Sequence, residues 1–178
     1  RFAQRAVRRF MPGEDLPAAL AVAEALAARG IGAVFTRLGE NLSELGEADA
    51  VAAHYHEVLD EAHARGLGAE ISVKLTQLGL EIDREATYRH CLGLAEHAGR
   101  IGSYLWIDME GSAYTEATIA FYERLKSAQP NIAICLQAYL RRTASDIQRL
   151  LPLKPEIRLV KGAYAEPAAI AYQTRHDV

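Results

Sequence analysis

Residues 68–76 read Gly-Ala-Glu-Ile-Ser-Val-Lys-Leu-Thr, and their pattern decides the fold. Ile71, Val73 and Leu75 alternate with Ser72, Lys74 and Thr76, so an extended segment here has one apolar and one polar face. A helical pattern over Glu47–Arg65 precedes it, closed by Gly66, and another over Asp83–Gly99 follows it, opened by the capping residue Asp83. A strand flanked in this way belongs to a βαβ unit, and such units build parallel sheets by right-handed crossovers.

Outward from this stretch the alternation continues. Strands are expected at Ile31–Leu38, Gly68–Leu75, Tyr104–Met109, Ile132–Ala138 and Glu156–Ala163. Helices are expected at about Asp15–Arg29, Glu47–Arg65, Asp83–Gly99, Thr115–Ala128 and Thr143–Leu151. Asp15 with Pro17, Thr115 and Thr143 open helices as caps or first-turn residues, and Gly30 closes one. Five units fit either an open doubly wound sheet or part of a (β/α)8 TIM-barrel-like fold. The first strand is followed by Gly39, Glu40 and Asn41, with no G-x-G-x-x-G, so a dinucleotide-binding Rossmann sheet lacks its fingerprint.

The placement of polar residues favours the barrel. Glu40 follows strand one, Lys74 ends strand two, Asp108 ends strand three, Gln137 ends strand four, and Arg158 and Lys161 lie in strand five. A strand buried on both faces tolerates few such groups, because an unpaired buried charge is costly. In a (β/α)8 barrel the strand tips converge on one rim, where active sites are built. Alternation puts Trp106, Asp108 and Glu110 on one face, as it does Ala133, Cys135 and Gln137, so the polar set faces the barrel interior. Arg158, Val160 and Gly162 share a face that excludes Lys161.

Composition narrows the function. The 178 residues carry 20 basic and 23 acidic side chains for a formal charge of −3, and half are hydrophobic, as in an ordinary globular chain. No basic run marks nucleic acid as a partner, and no apolar stretch approaches a membrane span. Cys91 and Cys135 are far apart and fall in apolar patterns, so both are expected as buried free thiols. The six histidines form no i, i+4 helical pair, so no metal site is expected, and His54 and His56 are expected to be exposed. Tyr139-Leu-Arg141-Arg142 is expected as loop and helix-start surface.

Five stretches carry a family resemblance: Leu38-Gly39-Glu40, Ser72-Val-Lys74-Leu-Thr76, Trp106-Ile-Asp108-Met-Glu110, Cys135-Leu-Gln137-Ala-Tyr139 and Arg158-Leu-Val-Lys161-Gly162-Ala163-Tyr164. In order and spacing they resemble the proline dehydrogenases, over roughly Glu14 to Pro167. The resemblance implies a distorted (β/α)8 barrel that oxidises L-proline to Δ1-pyrroline-5-carboxylate by hydride transfer to FAD. It also implies a quinone acceptor, a Δ1-pyrroline-5-carboxylate dehydrogenase partner, and a cytoplasmic location with peripheral contact at the inner membrane face. By the same resemblance, Lys74 would hold the substrate carboxylate, and Glu40 and Ala163 would border the substrate. Asp108 and Met109 would lie at the flavin edge, and Gln137 would hydrogen-bond the flavin ring. Arg158 would sit near its N5–N1 region, with Val160, Lys161, Gly162 and Ala163 lining the cofactor. Asp108 and Arg158 would be the catalytic pair.

Two departures qualify the match. Thr36 and Arg37 stand where the family commonly has an aspartate and an apolar residue, and alternation would turn Arg37 toward the helix layer. The chain also ends about one helix beyond strand five, so residues 1–178 are expected to be a partial barrel lacking its C-terminal third, inactive by itself. Two other readings stand beside this one: a catalytically silent partial barrel, and a Schiff-base aldolase using Lys74 or Lys161.

Overall fold

The computed structural model of the protein describes residues 15–39, 42–174 and 176–178. Helix α1 (Leu16–Ala27) leads to strand β1 (Val34–Thr36), then α2 (Leu45–Ala64), β2 (Glu70–Val73), α3 (Arg84–Arg100) and β3 (Leu105–Ile107). Helix α4 (Thr115–Ala128), β4 (Ile132–Gln137), α5 (Thr143–Leu150) and β5 (Glu156–Val160) complete the series. All five strands are parallel and lie in the order β1-β2-β3-β4-β5. A doubly wound sheet reverses its strand order at a switch point, whereas a barrel adds each strand beside the last. The sheet is therefore a five-strand sector of a (β/α) barrel.

Local sequence explains the element boundaries. The Asp15 carboxylate accepts from the Ala18 backbone N–H at 2.9 Å, with Pro17 in the first turn. Asp83 accepts from the N–H groups of Glu85 and Ala86, satisfying donors that the first turn leaves unpaired. Gly30 and Gly66 adopt φ of 71° and 66°, the left-handed region that ends a helix at little steric cost. Thr115 and Thr143 do not cap. Thr115 is buried at the start of α4, and the Thr143 hydroxyl instead donates to the Gln137 carbonyl at 2.6 Å, pinning the end of β4.

The core lies between sheet and helices. Ile71 and Val73 from β2, Leu105 and Ile107 from β3, and Ile132, Ile134 and Leu136 from β4 pack against Val58, Leu94, Ile119, Tyr122 and Leu125. Ile71, Ile107, Ile134, Leu94 and Leu125 are all fully buried, and each such side chain contributes about 1.5–3 kcal/mol relative to exposure. Both cysteines are buried free thiols, and burial pushes the Cys91 thiol up to about 12. Among the described residues no helix is long and apolar enough to cross a membrane.

Several expectations need correction. Strand β1 ends at Thr36, so Arg37 leaves the pleat and is exposed instead of facing the helix layer. Its backbone N–H donates to the Tyr55 hydroxyl at 2.9 Å. His54 and His56 are half-buried, not exposed; Nδ1 of His56 meets Nδ1 of His97 at 2.8 Å across the α2–α3 interface. Tyr139 and Leu140 are buried, and Arg142 joins Arg149 in an ion-pair network with Glu116, Glu123 and Asp146 that ties α4 to α5. Among the described residues after β5 there is no α-helix. The chain folds back over the rim, with Tyr172 N–H donating to the Tyr139 carbonyl, Arg141 N–H to that of Ile170, and an antiparallel bridge joining Leu140 to Ala171.

Candidate active site

The face of the sheet turned away from the helices is polar, and its centre is a closed ring of three side chains. The Ser72 hydroxyl donates to Oδ1 of Asp108 at 2.8 Å. Nη2 of Arg158 donates to the same Oδ1 at 2.5 Å and to the Ser72 hydroxyl at 2.9 Å. Arg158 lies on β5 and Asp108 just after β3, so the guanidinium crosses β4. It can do so because β4 offers only Ala133 and Cys135 at that height, Cys135 being the register partner of Arg158. A larger side chain in either place would block the reach. Ser72 is 2% exposed, while Asp108 and Arg158 keep 20% and 33% side-chain exposure, so the ion pair opens toward the rim.

Below this ring Trp106 forms a floor. Its indole N–H donates to Oε2 of Glu70 at 2.6 Å, which fixes the ring, and the Arg158 guanidinium carbon stands 5.1 Å above the ring centroid. That distance allows a cation–π attraction. Behind β2, the buried Tyr55 hydroxyl donates to the Ser72 carbonyl at 2.9 Å while accepting from Arg37, so one phenol clamps the ends of β1 and β2. Desolvation raises the Tyr55 hydroxyl above its ordinary range and keeps it a donor. Beside it, Glu110 is 2% exposed and accepts from Thr76 N–H at 3.2 Å and from its hydroxyl at 2.5 Å, joining the loops after β2 and β3.

Gln137 ends β4 on the same rim. Its Nε2 donates to the Met109 carbonyl at 3.0 Å, while its buried Oε1 has no hydrogen-bond partner among the described residues. An unmatched buried acceptor costs about 1–3 kcal/mol, which a ligand N–H would offset. The Met109 side chain is packed in the main core, so this residue meets the rim through its backbone. Val160 pairs with Gln137 in register. Lys161 and Ala163 are exposed and Gly162 half-buried. Gly162 has φ 108°, and a Cβ there would lie 2.1 Å from Cδ1 of Tyr139, so only glycine lets this loop close over that ring.

The structure thus brings Asp108, Arg158, Met109, Gln137 and Val160 to one rim, with Lys74 half-buried immediately after β2. Strand β5 ends at Val160, short of the expected Ala163, so Lys161 and Ala163 lie in the loop beyond it. Glu40 lies outside the described residues. Ser72 was legible as sharing the Lys74 face, but its bonding to both Asp108 and Arg158 was not. Glu70 and Trp106 also share the polar face, and the Glu70 carboxylate in a strand otherwise buried was the available signal.

Fold and rim together define a (β/α)-barrel protein with charged side chains at the C-terminal ends of its strands. Residues 19–176 match the family model described as proline dehydrogenase, and this chain belongs to the proline dehydrogenase family. It is 34% identical over 165 residues to "Proline dehydrogenase 1" of Bacillus subtilis, covering 93% of this chain and 55% of that protein. It is 31% identical over 178 residues to "Proline dehydrogenase" of Deinococcus radiodurans, covering 96% and 56%. The chain therefore spans little more than half the length of these relatives. Among solved structures, proline utilization A from Bdellovibrio bacteriovorus inactivated by N-propargylglycine superposes with a TM-score of 0.73 at 22% identity. That match covers 85% of this chain and 20% of that one. A proline utilization A structure with proline bound in remote sites gives 0.64 at 20% identity, covering 84% and 18%. At these identities the structural likeness establishes the fold.

Proposed function

We propose that this chain supplies most of the flavin-facing rim of an FAD-dependent proline dehydrogenase, which converts L-proline to Δ1-pyrroline-5-carboxylate. The observation that carries the reading is the Ser72–Asp108–Arg158 ring on the inner face of a sequentially ordered parallel sheet, beside an amide acceptor without a partner. The unmatched Gln137 Oε1 suits an N–H on a ring system, and the partly open Arg158 suits an electron-rich one. FAD would supply the hydride acceptor for oxidation of the proline ring carbon next to nitrogen.

The protein's own groups then have separable tasks. Arg158 would place a permanent positive charge beside the ring system, where it would favour the reduced form electrostatically. Asp108 fixes that guanidinium by charge. Gln137 and the Met109 backbone would hold the ring edge, and Val160, Lys161, Gly162 and Ala163 would line the rest of the cofactor. Lys74 would meet the substrate carboxylate with an ammonium, and Glu40 and Ala163 would border the substrate. A quinone would take up the electrons at a peripheral membrane contact, and a Δ1-pyrroline-5-carboxylate dehydrogenase would take the product.

The test is proline-dependent dye reduction. The complete natural polypeptide carrying this sequence is expected to turn over with L-proline, and residues 1–178 alone are not. Turnover by the 178-residue piece at a comparable rate would contradict the division of labour. No proline-dependent reduction by the complete polypeptide would contradict the function.

A further inference from the structure

Arginine and carboxylate usually pair side by side, through two parallel N–H···O bonds. Arg158 and Asp108 do not. Among the described residues, both hydrogen bonds of the guanidinium leave from Nη2, and both bonds to Asp108 arrive at Oδ1. The Ser72 hydroxyl makes this end-on geometry possible. It accepts the second N–H of Nη2 and donates its own proton to the oxygen already bound by Arg158, so each of the three groups is bonded to the other two. The hydroxyl cannot drift. It is 2% exposed, and its backbone carbonyl is held by Tyr55 at 2.9 Å. From beneath, the Trp106 ring, fixed by Glu70, limits how far the guanidinium can sink.

We infer that Ser72 is a positioning residue for the flavin chemistry. Its hydroxyl holds Arg158 end-on against Asp108 through Nη2, so that Nη1 and Nε take no part in the pair. Remove the hydroxyl and the favoured bidentate pairing becomes available. The guanidinium then rotates its two-nitrogen edge onto Asp108 and its charge moves away from the cofactor. Ser72 itself touches neither cofactor nor substrate in this account. A cation displaced from the ring stabilises reduced flavin less, so the reduction potential falls and hydride transfer slows, with substrate binding almost unaffected.

This inference rests on the flavin reading, and the experiment separates the two. In the complete natural polypeptide, Ser72→Ala is expected to bind flavin at the parent stoichiometry. Its kcat for proline should fall about tenfold with KM within twofold. The equilibrium constant for flavin reduction should also fall about tenfold, a midpoint potential about 30 mV more negative for a two-electron couple. Ser72→Thr keeps the hydroxyl and is expected to keep the parent potential. If alanine costs the bound flavin, the potential is read on Ser72→Cys, whose thiol fills the space but is a weak donor. A parent potential in Ser72→Ala, or in Ser72→Cys where that is the variant read, overturns the inference. So does an equal shift in Ser72→Thr. If the parent protein carries no proline-reducible flavin, the flavin reading itself fails and takes this inference with it. A parent that is reduced normally leaves the variants to decide on Ser72 alone.

Discussion

Replacing Gly162 with alanine tests how tightly the loop after β5 is bound to the rim. At φ 108° an L-residue is strained, and the left-handed side of backbone space costs about 1–2 kcal/mol. The new Cβ would also stand 2.1 Å from Cδ1 and 2.3 Å from Cε1 of Tyr139. That ring is 5% exposed and its hydroxyl donates to the Tyr164 carbonyl at 3.1 Å, so it has little freedom to turn away. Overpacking of this kind costs about 1–3 kcal/mol, and the lost hydrogen bond about 0.5–1.5 kcal/mol more. The expected total is about 3–6 kcal/mol. Gly102 provides the internal control: its φ is 71° and, its chain neighbours aside, no atom of the described residues lies within 4 Å of where its Cβ would be, so Gly102→Ala carries only the backbone cost. Thermal unfolding of the two variants in the complete polypeptide should show a shift about threefold larger for Gly162→Ala, together with weaker retention of flavin. Equal shifts would refute the reasoning, because they would mean the Tyr139 ring yields without cost.

Other outcomes follow from single contacts. Tyr55→Phe deletes both bonds of a buried hydroxyl, to the Ser72 carbonyl and from Arg37 N–H, and should destabilise by about 1–3 kcal/mol in chemical denaturation. Arg158→Met should slow flavin reduction by proline in rapid-mixing absorbance, by up to about 3 kcal/mol in barrier. The His56 imidazole is held below its ordinary value of 6.5, first by desolvation and then by His97, with Arg100 and His90 adding to the depression and Asp60 opposing it. The unfolded chain therefore binds the proton more readily, so this contribution to stability is present above about pH 6.5 and declines as pH falls below it. Unfolding midpoints measured from pH 7.5 to 5 should fall less steeply in His56→Gln than in the parent.

The barrel sector was legible because its signals are periodic. Strict alternation across Ile71–Leu75 and the strand-end charges at Lys74, Asp108 and Arg158 describe a sheet with one apolar face, and register follows once that face must be buried. Strand lengths were less legible. Apolar composition continues through Ile31–Leu38, yet pairing covers only Val34–Thr36, because a ladder needs a partner as well as a pattern. The site was half visible in the same way. Alternation identified Asp108 as inward-facing and put Arg158 on the face opposite Lys161, but the contact of the two depends on Ala133 and Cys135 leaving space on the strand between them, which no single motif records. The two roles of Ser72 were hidden for the same reason, since a small hydroxyl on a strand announces nothing until its neighbours one and three strands away are known. The His56–His97 pair was missed because it joins two helices, and i, i+4 counting sees only one.

Anaerobic titration of the purified complete polypeptide with L-proline, followed by absorbance through the visible range, addresses the central claim most directly. The account predicts a bound flavin spectrum that bleaches stoichiometrically with proline, and an Arg158→Met protein that bleaches far more slowly. A colourless protein, or a flavin that proline leaves oxidised, would contradict it.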